Sequence, residues 1–109
     1  MSRDEIPPGT LYLLILKTLA VRKKLHGYEI AESIEQQSED ILQVEEGSLY
    51  PALQRMLIKG WVTAKWGVTA GNRRARYYQL TAAGRKQLAL EVSQFTRVIG
   101  AITRVIQTA

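Results

Sequence analysis

The last quarter of the chain sets the first constraint on its fold. Leu88, Val92, Phe95, Ile99, Ile102 and Ile106 are spaced 4, 3, 4, 3 and 4 apart, a heptad seam that places all six along one stripe of a helix. A helix is predicted from about Ala82 to Ile106, with Thr81 as its N-cap, and a monomer would leave much of its stripe in water. At 109 residues the chain has room for one domain with a modest core. The seam is therefore expected to be the interface of a homodimer. About two and a half heptads is short for a free-standing coiled coil, so the helix is expected to work together with other contacts.

The opening helix points the same way. Thr10 is the expected N-cap of a helix from about Leu11 to Arg22, which is apolar nearly all round, Lys17 and Thr18 being the exceptions. Such a helix in so small a chain needs cover on both sides. The domain core covers one side, and a second subunit is expected on the other, through Leu11 and Ile15. The residues before it, 1–9, are polar and close with Pro7-Pro8-Gly9, which predicts a short flexible arm.

Several function classes are excluded or left without support. The chain has no cysteine and one histidine, His26, so it offers no disulfide framework, no thiolate metal site and poor material for a zinc centre or a Ser/His triad. No apolar run approaches the roughly 20 residues of a membrane span, and residues 1–10 lack the apolar core of a signal peptide. A soluble, cytoplasmic protein with no membrane partner is expected. Paired carboxylates with suitable neighbours and a glycine-rich phosphate loop are also missing, so the chain is read as a non-enzyme without cofactor.

Charge is distributed unevenly. Residues 1–46 carry five Lys/Arg and nine Asp/Glu, whereas residues 47–109 carry ten Lys/Arg and the single acid Glu91. A polyanion partner is the simplest cause of so basic a half, since each neutralised phosphate releases condensed counterions. Solubility alone accounts for the same charge equally well. What separates the two is the stretch where the basic half begins.

In Glu46–Trp61, Leu49, Leu53, Met56 and Leu57 fall on one helical face, with Ser48, Pro51, Arg55 and Lys59 facing away and Tyr50 and Gln54 at the flanks. Pro51 is expected in the first turn, which starts the helix at about Gly47 or Ser48, and Gly60 ends it. The outer face suits a DNA groove. Arg55 and Gln54 can each make paired hydrogen bonds to a base edge, Ser48 can reach a base or a phosphate, and Tyr50 offers a ring and a hydroxyl.

The preceding helix, predicted over about Gly27–Ser38, buries Tyr28, Ile30, Ala31 and Ile34 and leaves an acidic surface. Only its N-terminal end can meet a phosphate, through backbone N–H groups and the Tyr28 hydroxyl; His26 is expected to make a structural hydrogen bond at the turn. The short connection Glu39–Glu46 makes the two helices a helix-turn-helix pair, with Ile41, Leu42 and Val44 closing the core beneath it. After Gly60 the period falls to two. Val62, Ala64 and Trp66 alternate with Thr63 and Lys65, a turn follows over 67–72, and Arg74–Leu80 returns. This hairpin gathers Arg73, Arg74 and Arg76, with Lys65 near on the other strand. Such a hairpin is either a wing placed on backbone phosphate or the minor groove or an exposed hairpin whose charges guard its edge strands; the exposed helix beside it favours the wing.

The fold class expected is mainly α with a small β-hairpin: a winged helix-turn-helix over 10–81 plus a C-terminal dimerisation helix over 82–109. The apolar opening helix, His26-Gly27-Tyr28-Glu29-Ile30, Gly47-Ser48-Leu49-Tyr50-Pro51-Ala52-Leu53, and Arg76-Tyr77-Tyr78-Gln79-Leu80-Thr81 followed by Gly84 together resemble the short-chain members of the PadR family of bacterial transcriptional regulators. The resemblance runs from about Leu11 to Phe95, and departs where the family often has leucine then glutamate after the arginine; Met56 and Leu57 stand there.

The resemblance implies a dimeric repressor on a pseudo-palindromic operator in double-stranded DNA. Contacts would come from Ser48, Tyr50, Pro51, Gln54 and Arg55, and at the wing from Lys65, Arg73, Arg74 and Arg76. It also implies, for some members, a phenolic or drug-like small-molecule inducer at the dimer interface, where Phe95 is the candidate lining residue, with a place in the core seam as its stronger role. The alternatives are thus a ligand-responsive sensor repressor and a non-specific architectural DNA-binding protein. The polar outer face of the candidate helix argues against the second, and also against a winged helix used only for protein contacts.

Overall fold

The computed structural model of the protein describes residues 4–7 and 9–109. In chain order the elements are β1 (Asp4–Glu5), α1 (Leu11–Arg22), β2 (Leu25–His26), α2 (Gly27–Gln37), β3 (Leu42–Gln43), α3 (Glu46–Ile58), β4 (Val62–Val68), β5 (Arg74–Leu80) and α4 (Ala82–Ile106). The expected winged helix-turn-helix with a long last helix is the observed architecture. Around α1 gather α2, α3, β5 and α4, and the core between them is built on Ile15, Leu16, Leu19, Ile30, Leu49, Leu53 and Met56.

Part of the segment expected to be a flexible arm is tied down. Asp4–Glu5 pair in parallel with Leu42–Gln43, the Asp4 N–H donates to the Ile41 carbonyl, and Ile6 packs against the core. The rest of that expectation, at residues 1–3 and 8, lies outside the described residues. Thr10 does not cap α1 with its side chain; its hydroxyl donates instead to the Pro7 carbonyl at 2.7 Å.

The single chain covers α1 more fully than its sequence suggests. Leu11, Tyr12, Leu13 and Leu14 are half-buried, and Val21 is exposed. Ile15, expected at the subunit interface, is completely buried by its own chain and has no surface left for a partner. Ile41, expected in the core, is exposed, because Glu39 and Asp40 both take positive φ and turn the chain outward before Val44 returns to the core.

At the end of α1 the backbone is strained. Lys23 sits at φ 70° and ψ −57°, and the Lys24 N–H reaches back to the Arg22 carbonyl at 2.8 Å, the geometry of a tight γ-turn that side chains disfavour. Replacing Lys23 by glycine relieves that strain, so Lys23→Gly is expected to raise stability by about 1 kcal/mol. An unchanged or lower denaturation midpoint would show that the turn carries no such cost.

The sheet has three strands in the order β2-β5-β4, all antiparallel, where the sequence predicted two. Leu25–His26 pair with Tyr78–Tyr77, and two residues are too few to show a period. This extra strand fastens the wing to the entrance of α2, where His26 forms a capping box: its Nδ1 accepts from the Glu29 N–H at 3.4 Å and its own N–H donates to Glu29 Oε1 at 3.1 Å. The expected structural hydrogen bond of His26 is present.

Candidate nucleic-acid interface

Helix α3 begins at Glu46, earlier than its proline suggested, and Pro51 lies inside it on the exposed side. Lacking an N–H, Pro51 leaves the Gly47 carbonyl without its intrahelical bond, which solvent exposure makes tolerable. The earlier start also puts Glu45 and Glu46 at the N-terminus, where carboxylates favour the helix dipole and would repel a phosphate at that end. At the other end Gly60, at φ +76°, closes the helix: its N–H donates to the Leu57 carbonyl at 3.1 Å and the Trp61 N–H to the Met56 carbonyl at 3.0 Å, a Schellman motif.

The buried side of α3 is Leu49, Ala52, Leu53 and Met56. At 100° per residue, the stripe directly opposite is Gly47, Pro51, Gln54 and Ile58, spaced 4, 3 and 4, and Ile58 is 78% exposed. Gly47 and Ile58 were missed by the sequence reasoning, although the same spacing rule would have found them. Ser48, Arg55 and Lys59 are exposed but lie on the flank facing α1. Arg55 Nε donates to the Tyr12 hydroxyl, and its guanidinium carbon stands 5.6 Å from the Tyr12 ring centre. Tyr12 in turn meets Trp61 edge-on at 5.5 Å, and Lys59 Nζ stands 5.2 Å from the Trp61 ring centre. Ser48 borders a different hollow, beside Glu5, Val44 and Glu45.

On the other flank a groove runs between α3 and the wing. It is lined by Tyr50 and Gln54 of α3, by His26, Gly27 and Tyr28 at the start of α2, and by Trp66, Arg73, Arg74 and Arg76 of the hairpin. Tyr28, expected to turn inward, is 66% exposed here. The hairpin register explains which cations share the groove. Trp66 pairs with Arg76 and Ala64 with Tyr78, so Ala64, Trp66, Arg74, Arg76 and Tyr78 occupy one face. Lys65 pairs with Tyr77 and belongs to the opposite face. The expected cluster is therefore divided: the three arginines line the groove and Lys65 does not. Burial pushes the Tyr78 phenol above its ordinary pKa against the opposing pull of Arg76, so Tyr78 stays neutral and adds no negative charge.

A helix-turn-helix whose second helix is exposed on one side, flanked by a hairpin with three arginines along the shared groove, defines a winged-helix DNA-binding protein. The sequence pattern of the "Transcriptional regulator PadR-like family" matches residues 15–90. The chain belongs to that family. Among similar proteins, an uncharacterized protein from Lysinibacillus sphaericus is 31% identical over 98 residues, which is 90% of this chain and 89% of the relative. A transcriptional regulator from Clostridium thermocellum superposes with a TM-score of 0.81 at 23% identity, over 91% of this chain and 95% of that one. Bacillus subtilis PadR, solved in complex with operator DNA, superposes with a TM-score of 0.65 at 23% identity, over 76% of this chain and 46% of that one. At such identities the two structures speak for the fold alone. The family match ends at residue 90, so the seam beyond it rests on this chain's own residues.

Outside the groove, α4 carries its apolar stripe into solvent. Thr81 caps the helix, its hydroxyl oxygen accepting from the Gly84 N–H at 3.0 Å. Leu88 packs partly on the core, while Val92, Phe95, Ile99, Ile102 and Ile106 are all exposed in the single chain. Val98 and Val105 widen the stripe. Phe95 and Val98 also border a hollow against Tyr12 and Leu13 of α1. No helix among the described residues is long and apolar enough to cross a membrane.

Proposed function

We propose that this PadR-family regulator is a cytoplasmic homodimeric repressor that binds a pseudo-palindromic operator. One observation carries the DNA-binding part: Tyr50 and Gln54 of α3 and the three arginines of the wing open onto the same groove. Two copies joined along α4 would present their α3 helices to successive major grooves about 34 Å apart, and the bound dimer would block transcription. In each copy Gln54 reads bases from the groove, Arg55 reads a base from the flank outside it by exchanging the Tyr12 hydroxyl for a base edge, Tyr28 and Tyr50 flank the backbone, and Arg73, Arg74 and Arg76 hold phosphate. Ser48, Lys59 and Lys65, which lie away from the groove and lack the paired donors of Arg55, and Pro51, which offers no donor, are secondary contacts.

A small-molecule inducer is a second reading, favoured by the hollow that Phe95 and Val98 share with Tyr12 and Leu13. A ligand seated there would touch the residue that holds Arg55. Its mark would be release of DNA on adding the compound, with tryptophan emission from Trp61 as the reporter.

The test is fluorescence anisotropy of labelled duplex from upstream of the protein's own gene, titrated at two salt concentrations beside a random duplex of equal length. A preference of about a thousandfold or more is expected. Equal binding to both duplexes with a steep salt slope would instead indicate an architectural protein. On the preferred duplex, Arg55→Ala is expected to cost roughly 1–3 kcal/mol and to relax discrimination. Equal weakening on random DNA would assign Arg55 to phosphate.

A further inference from the structure

The wing arginines are not free side chains. Arg74 Cζ stands 4.6 Å and Arg76 Cζ 5.8 Å from the ring centre of Trp66, and that indole is itself 61% exposed. Strand register makes the arrangement a built one: Arg76 is the direct cross-strand partner of Trp66 and Arg74 its diagonal neighbour on the same face. Arg76 Nε is shut off from solvent and has no hydrogen-bond partner among the described residues. A tryptophan this exposed contributes little to the core. Its exposure is explained if its work is done at the surface.

We propose that Trp66 is a positioning residue of the wing, a platform that holds the Arg74 and Arg76 guanidiniums together over the groove so that they meet the DNA backbone as an ordered pair. The physical reason is entropy. A solvated arginine surrenders much of its rotamer freedom when it binds a phosphate. An arginine already lying on an indole face has given up part of that freedom in the free protein, and its affinity for the phosphate rises accordingly. Stacking also leaves the terminal nitrogens of a guanidinium, at the far edge from the buried Nε of Arg76, to donate to a phosphate.

The inference rests on the DNA-binding reading of the groove, and its test separates the two. The full chain is titrated against a labelled random duplex, because phosphate contacts need no operator. Trp66→Ala is expected to weaken binding about tenfold, Trp66→Leu to behave like Trp66→Ala, and Trp66→Phe to retain most of the affinity. Arg74→Ala should weaken binding on its own and have much less effect once Trp66 is alanine, the non-additivity of two residues acting as one unit. Thermal melts of each variant accompany the titrations, and if Trp66→Ala melts early the Leu and Phe variants carry the comparison. Additive effects of the Trp66 and Arg74 substitutions, or wild-type binding by Trp66→Leu, would overturn the platform. Unaltered binding by Arg74→Ala itself would overturn the wing's role, and the platform with it.

Discussion

Gly84→Ala is expected to lower the melting temperature by roughly 10–20 °C, the consequence of about 3 kcal/mol lost. A Cβ built at Gly84 would stand 2.1 Å from the Trp61 carbonyl oxygen, closer than any real contact. That oxygen cannot step aside, because it accepts the Thr81 N–H at 3.0 Å, and the Thr81 hydroxyl donates to the neighbouring Gly60 carbonyl at 2.6 Å. In an open helix the same substitution would stabilise by about 1 kcal/mol. The sign therefore depends on the clash, and circular dichroism melts decide it: a variant that melts at or above the wild-type temperature would show that α4 can shift at no cost.

Ile99→Glu is expected to abolish dimerisation at micromolar concentration and site-specific DNA binding with it. Ile99 is 42% exposed in the single chain, so the change does little to the winged-helix core. Across a two-fold interface it occurs twice, and each carboxylate would be buried without a partner. At roughly 3–5 kcal/mol for an uncompensated buried charge, the dimer should weaken at least about a thousandfold. Light scattering would then report 12.3 kDa, the mass of one chain, rather than twice that. If Ile99→Glu stays dimeric and keeps its preference for the upstream duplex, the seam is not the interface.

The elements with a sustained period were legible in the sequence. The long run from Ala82 to Ile106, its cap at Thr81 and the Gly60 stop are where the spacing placed them. What escaped were features fixed by distant partners. The two-residue strands β1, β2 and β3 have no period and exist because the chain passes another strand. Arg55 looked free because nothing local holds it; its tie is to Tyr12, 43 residues away. Lys65 joined the wing arginines only while the hairpin register was unknown, since one step along a strand changes faces. Trp66 read as one more alternating apolar residue until Arg74 and Arg76 were seen upon it.

The two hydrogen bonds that Thr81 donates to the Gly60–Trp61 corner also bear on the length of the target site. Helix α3 stops at that corner and α4 starts from it, so the two are joined like the arms of one bracket. If two brackets are bolted together along α4, the crossing angle of the bolted arms alone sets how far apart the reading arms stand. Half-site spacing would then be a ruler whose divisions are cut in the seam, and changing seam residues would retune the spacing without touching a single residue that meets DNA.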